Sequence, residues 1–118
     1  MNEFKFSLEP GMKRYENRDY MDQNPIISVV VPFYNSGKYI EQTINSVLNQ
    51  TFPYYEILIV DDGSKDEESL KKLEEVGKLD NRIKVFHKDN EGLAATRDFG
   101  ASKSADTCKY LMFLDDDD

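Results

Sequence analysis

The sequence predicts an α/β domain in three layers, helices on both faces of a mostly parallel sheet. Two observations carry this. Short β-branched apolar runs alternate with amphipathic helical patterns along the chain, and the runs are apolar on successive residues rather than on every second one, as strands buried on both faces require. A third observation is negative: no internal repeat or low-complexity tract competes with the alternation. At 118 residues with 39% hydrophobic residues, the chain has material for one core and one domain.

The elements follow in order. Met1 to Asn24 is polar and charged with scattered aromatics, and reads as a leader (residues 1–24) ahead of a domain spanning 25–118. "IISVVV", Ile26 to Val31, is bounded by Pro25 and Pro32 and reads as a buried strand. In "NSGKYIEQTINSVLNQ", Ile40, Ile44, Val47 and Leu48 recur at helical spacing behind a polar entry at Asn35 and Ser36. "YEILIV" is a second buried strand running into Asp61, Asp62 and Gly63. "SKDEESLKKLEEVGKL" is an acid-led helix with Leu70, Leu73 and Val76 inward. "RIKVFH" is the third strand. "GLAATRDFGASKSA" is a third helix with Ala94, Ala95, Phe99 and Ala101 on its apolar side, and "YLMFL", Tyr110 to Leu114, is a fourth strand. Right-handed crossovers then put all four strands parallel.

In such sheets ligands gather beyond the carboxyl ends of the strands. That rule selects Pro32 to Asn35, Asp61 to Ser64, the region after His87, and Asp115 to Asp118. Each has a plain structural reading beside a functional one. "VPFYN" is a strand-ending turn with Asn35 capping the helix, or a nucleobase platform presenting the Tyr34 ring. "DDGS" is a tight turn, or a turn whose second carboxylate accepts a hydrogen bond from a base or ribose. Arg97 is a surface helix charge, or a phosphate or base contact near a helix N-terminus. The terminal "DDDD" is a solvated tail, or a cation site at the end of a strand.

Composition removes several classes of function. A net charge of −8 opposes a general nucleic-acid or anionic-membrane surface. No segment approaches the roughly 20 apolar residues of a membrane span. The single Cys108 excludes an intramolecular disulfide and suits the cytoplasm; it and His87 read as structural. Neither the glycine-rich dinucleotide fingerprint nor the P-loop pattern is present. "DDGSKDEES" is not an EF-hand, because Val60 would fall on a ligand position. One signalling alternative stands: "EILIVDDGS" resembles the opening of a phosphorelay receiver with an acidic magnesium pocket. However, a complete strand and helix precede it and no later strand supplies the required lysine.

Taken together, "ISVVVPFYNSGKYIEQTINSVLNQTFPYYEILIVDDGSKD", "NEGLAATRDFGASKS" and "YLMFLDDDD" resemble the N-terminal half of a family 2 glycosyltransferase of the GT-A fold, over Pro25 to Asp118. V-P-x-Y-N, S-x-L-x-Q-T, D-D-G-S and an acidic D-x-D cluster occur in the family's order. One departure is Thr96, Arg97, Asp98 where the family often has Ala-Arg-Asn. The resemblance implies inverting transfer of a sugar from a nucleotide diphosphate sugar, most often a UDP-sugar, to an acceptor hydroxyl in polysaccharide biosynthesis. It places Pro32, Tyr34, Asn35, Asp62, Arg97, Asp115 and Asp116 against the nucleotide. Asp117, with Asp115, would hold Mn2+ or Mg2+, which bridges the diphosphate so that the aspartates do not repel it. It also implies an acceptor site and catalytic base beyond Asp118. The chain is accordingly expected to be an inactive donor-binding fragment of a longer enzyme, truncated after the D-x-D strand, with membrane association left to the longer parent. Its last strand would form an open sheet edge able to self-associate.

Overall fold

The computed structural model describes residues 24–115, so the 1–24 leader, but for Asn24, lies outside the described residues. Seven elements alternate: β1 (Ile27–Phe33), α1 (Gly37–Leu48), β2 (Tyr55–Asp61), α2 (Glu67–Gly77), β3 (Ile83–His87), α3 (Leu93–Ser102) and β4 (Tyr110–Phe113). The strands form one sheet in the order β3-β2-β1-β4, with every neighbouring pair parallel. No described helix is long and apolar enough to cross a membrane.

The two central strands are buried at every position, which is why their sequences are apolar on both faces. On one face Ile40, Ile44 and Val47 of α1, and Leu73 and Val76 of α2, close over Val29, Val31, Ile57 and Ile59. On the other, Val30, Leu58 and Val60 meet Phe86 and Phe99. Gly100 of α3 permits this second layer to sit close. A β-carbon there would stand 2.4 Å from Val30 Cγ1, far inside contact distance.

Three details differ from the expectations. First, β1 continues through Pro32 to Phe33. Odd-numbered β1 residues bond toward β2, as when Asp62 N donates to Phe33 O at 2.9 Å. Even-numbered ones bond toward β4, as when Leu114 N donates to Val30 O at 3.0 Å. Pro32 is even-numbered and lies past the last residue paired with β4, so its missing N–H removes no ladder bond. Second, the buried residues of α3 are Thr96 and Gly100, with Phe99 half-buried, whereas Ala94 is exposed. Leu70 of α2 is likewise only half-buried. Third, β4 is not a buried strand. It is the open sheet edge expected of the last strand, and Tyr110, Leu111 and Phe113 are exposed.

The amino end of the sheet holds a buried acid that no motif announces. Glu56, 2% exposed, accepts from Ser28 Oγ at 2.7 Å and from Ala105 N at 2.7 Å, and pairs with Lys84 at 3.2 Å. It thereby ties the α3–β4 connection to β2. Cys108 joins this cluster half-buried; burial pushes its thiol up, which keeps it protonated and structural.

Candidate functional site

The carboxyl ends of β1, β2 and β4 and the start of α3 surround one open cleft of about 490 Å³, a size suited to a nucleotide. Pro32, Tyr34, Asp62 and Asp115 all line it, joined by Phe33, Asn90, Gly92, Leu93 and Thr96. The larger groove, about 620 Å³ between α1 and α2, is lined by Asn35 and by Lys38, Lys71, Lys72, Glu68 and Glu75, mostly solvated charges of two helix surfaces.

Each wall has a local cause. Asn35 adopts a left-handed backbone (φ 50°), a conformation that asparagine tolerates. It does not cap α1, whose N-cap position is Ser36. Instead its Oδ1 accepts from Lys65 N and Asp66 N, both at 3.0 Å, while its own N–H donates to Ser64 Oγ at 2.8 Å. Asn35 therefore sews the β1–α1 loop to the β2–α2 loop beside the cleft. Tyr34, left 48% exposed by this turn, presents its ring to the cleft.

The two aspartates after β2 divide the work. Asp61, 3% exposed, accepts from Ser64 N at 2.9 Å through Oδ1 and meets His87 Nδ1 at 2.8 Å through Oδ2. It shapes the turn, and His87 is its structural partner. Asp62, 6% exposed, turns toward the β3–α3 loop. Its Oδ1 accepts from Glu91 N at 2.9 Å and Lys88 Nζ at 3.1 Å, and its Oδ2 from Gly92 N at 3.0 Å. Gly63 (φ 80°) lets the turn pass: a β-carbon there would lie 2.8 Å from Asn90 N.

Arg97 is not a cleft wall. Its Nη2 lies 3.4 Å from Asp115 Oδ1 and its guanidinium 5.7 Å from the centre of the Phe113 ring, while its buried Nε has no hydrogen-bond partner. It sits behind the acidic end of β4. Asp115 is half-exposed and lines the cleft. Asp116 and Asp117 lie outside the described residues, and among the described residues no group of three His, Cys, Asp or Glu side chains gathers to hold a metal. Motif reading had marked the region after His87 without naming its contributors. Lys88, the residue that engages Asp62, carried no signal of its own.

Among the described residues, three carboxyls are held below their ordinary values. Burial works to raise Asp62, but the Glu91 amide, the Lys88 ammonium and the Gly92 amide outweigh it. Burial likewise opposes the bonds from Ser28, Ala105 and Lys84 to Glu56, and loses. Asp80 is lowered chiefly by the Arg82 guanidinium, which it pairs with at 2.8 Å. Such groups stabilise the fold fully above their unfolded values, 4.5 for Glu and 3.8 for Asp, and the contribution disappears as pH falls through the lower folded values. The urea midpoint is therefore expected to stay level from about pH 7 to about pH 5 and to drop below about pH 4.5. A midpoint that rises on acidification would contradict the assigned bonds.

Comparison with known proteins bears on the fold and the family. The chain is 48% identical over 92 residues, 78% of its length, to an uncharacterised glycosyltransferase of Rickettsia conorii, of which it covers 15%. It is 40% identical over 95 residues, 80% of its length, to the putative teichuronic acid biosynthesis glycosyltransferase TuaG of Bacillus subtilis, covering 36% of that protein. The chain thus spans well under half the length of these relatives. Among solved structures, Staphylococcus aureus TarS (residues 1–349) in complex with UDP-GlcNAc superposes with a TM-score of 0.68 at 32% identity, over 78% of this chain and 26% of that one. A Pyrobaculum calidifontis mannosyltransferase, in complex with GDP-Man and Mn2+, shares the fold at TM-score 0.62 and 19% identity, over 71% of this chain and 26% of that one. The sheet and its helices are those of the GT-A glycosyltransferases. The family model described as glycosyl transferase family 2 matches residues 28–118, and the chain belongs to that family.

Proposed function

We propose that the cleft is the donor site of an inverting glycosyltransferase, which takes a sugar from a UDP-sugar and delivers it to an acceptor hydroxyl. The observation that carries this reading is the convergence of Tyr34, Asp62 and Asp115 on one cleft at the carboxyl ends of β1, β2 and β4. The exposed Tyr34 ring offers a stacking face to a base. Pro32 and Asp62 line the side where the base edge and ribose would lie, and Asp115 the side toward the phosphates, with Arg97 behind it as a counter-charge. Asn35 holds the loop that carries Tyr34. The TarS complex, which contains UDP-GlcNAc, supports the choice of a uridine nucleotide. The TuaG relative, named for teichuronic acid biosynthesis, supports polysaccharide biosynthesis as the setting. The receiver-domain alternative is set aside, since the family match runs from β1 to the end of the chain.

A divalent ion fits the donor atoms on this side of the cleft. Asp115 presents a half-exposed carboxylate, a hard oxygen ligand of the kind Mg2+ and Mn2+ take. Asp115 and Asp117 would hold the ion, with Asp116 toward the ribose. When bound, it supplies Lewis-acid stabilisation of the charge that develops on the departing diphosphate.

Calorimetric titration in manganese checks the reading. UDP is expected to bind the 118-residue chain about tenfold more tightly than ADP, a difference of about 1.4 kcal/mol. Asp117→Ala should remove the manganese-dependent part of the affinity without lowering the melting temperature. Equal affinities for the two nucleotides would remove the base-pocket assignment. A strongly destabilised Asp117→Ala chain would make that aspartate structural.

A further inference from the structure

We propose that Lys88 is a positioning residue of the donor site, holding the Asp62 carboxylate and the 88–92 loop in the register that lets the cleft select its base. The inference rests on the donor-site reading above and assigns a role to a residue outside every motif in the sequence.

Lys88 follows β3 directly, and its backbone N–H donates to Asp61 O at 2.9 Å, which anchors the loop to the end of β2. Its side chain is 8% exposed, against 37% for Lys72 and 53% for Lys84. Lysine is seldom buried to this degree unless it is paired. Here three oxygens surround the ammonium: Asp62 Oδ1 at 3.1 Å, Glu91 Oε1 at 2.8 Å and Asp89 O at 2.8 Å. An ammonium has three hydrogens, and three acceptors use them all.

The two groups around Asp62 act together. The Glu91 and Gly92 amides grip its carboxylate from the loop, while Lys88 grips Oδ1 from within. Asn90 Nδ2 adds a bond to Asp62 O at 3.0 Å. Because even a β-carbon on Gly63 would lie only 2.8 Å from Asn90 N, the turn and the loop pass close together, and the carboxylate moves with the loop that grips it. Asn90, Gly92 and Leu93 in that loop also form cleft wall. Lys88 therefore fixes two things at once, an acceptor and a surface.

Base selection follows from the orientation of the acceptor. The pairing edge of uracil presents an N–H between two carbonyls, which an oriented carboxylate accepts; adenine presents a bare ring nitrogen at the equivalent place, which a carboxylate repels. A carboxylate free to rotate discriminates less.

The test compares Lys88→Met, Lys88→Gln and Lys88→Arg with the wild-type chain, titrating UDP and ADP in manganese and recording melting curves. Lys88→Met is expected to lose about tenfold or more in UDP affinity and much less in ADP affinity, so that the preference collapses. Lys88→Arg, which restores the charge, should recover most of it. Lys88→Gln keeps two N–H donors without the charge and carries the same test should Lys88→Met not fold. A folded Lys88→Met or Lys88→Gln chain with the wild-type ratio of UDP to ADP affinity would overturn the inference, as would an equal fall for both nucleotides, which is the mark of a merely structural lysine. A wild-type chain that does not distinguish the nucleotides would overturn the donor-site reading and this inference with it.

Discussion

An Asp62→Ala chain is expected to bind no UDP at millimolar concentration and to be roughly 2–4 kcal/mol less stable than wild type, from the loss of hydrogen bonds to a charged group. The carboxylate accepts from Glu91 N, Gly92 N and Lys88 Nζ. Alanine leaves Lys88 with only Glu91 and the Asp89 carbonyl as partners, and leaves two loop amides without an acceptor in the protein. Against a typical domain stability of about 5–15 kcal/mol, that is a large share but leaves a folded majority. Asp62→Asn is the informative companion. It keeps one acceptor oxygen for an amide or for Lys88 and loses the charge, so it should fall between wild type and Asp62→Ala in stability while still failing to bind UDP. Urea unfolding and hydrogen exchange at Glu91 and Gly92 separate the two effects. If both variants keep wild-type protection at those amides, Asp62 does not hold the loop. If Asp62→Ala binds UDP normally, the cleft has been assigned to the wrong ligand.

Much of the fold is legible in the residues because β1 and β2 are buried on both faces and have no freedom to be anything but apolar. The same property hid the end of β1. A proline at position 32 reads as a terminator, and only the register of β4, which stops pairing at Val30, makes it harmless. The buried face of α3 was misjudged for a related reason. Alanines look apolar, yet the close approach to Val30 selects Gly100 and the bond from Thr96 Oγ1 to Gly92 O selects a hydroxyl. Neither choice can be made without the neighbouring strand. The last strand is the open edge expected of it, and "YLMFL", apolar throughout, is accordingly exposed at three of the four residues of β4.

The site divides along the same line. The rule that ligands gather beyond strand ends brought Pro32, Tyr34, Asp62 and Asp115 to one cleft from residue type and order alone. It could not say what each side chain bonds. Asn35 reads as a helix cap and is a stitch between loops; Arg97 reads as a ligand contact, and its guanidinium reaches Asp115. Lys88 looked like any lysine after a strand, since burial of its ammonium depends on Asp62, 26 positions earlier in the chain.

The 118-residue chain, supplied with UDP-sugars, manganese and acceptor sugars, is expected to form no glycosidic product. Transfer needs the acceptor hydroxyl held against the anomeric carbon and relieved of its proton. Positioning contributes effective concentrations on the order of 10⁵–10⁸ M, and a general base about 10²–10⁴-fold in rate. Neither of the described carboxylates in the cleft can serve as that base. Asp62 is engaged by its loop bonds and Lys88, which hold it below the usual carboxylate range and make it a poor proton acceptor at neutral pH. Asp115 faces the Arg97 guanidinium and would be neutralised further by any cation it helps to hold. The cleft is also open to water, so donor binding should lead at most to slow hydrolysis. Mass spectrometry of such incubations, run beside Asp117→Ala, decides the matter. Reproducible product that requires manganese and disappears in the variant would mean that a base lies within these residues and that the engaged state of Asp62 gives way once the donor is bound.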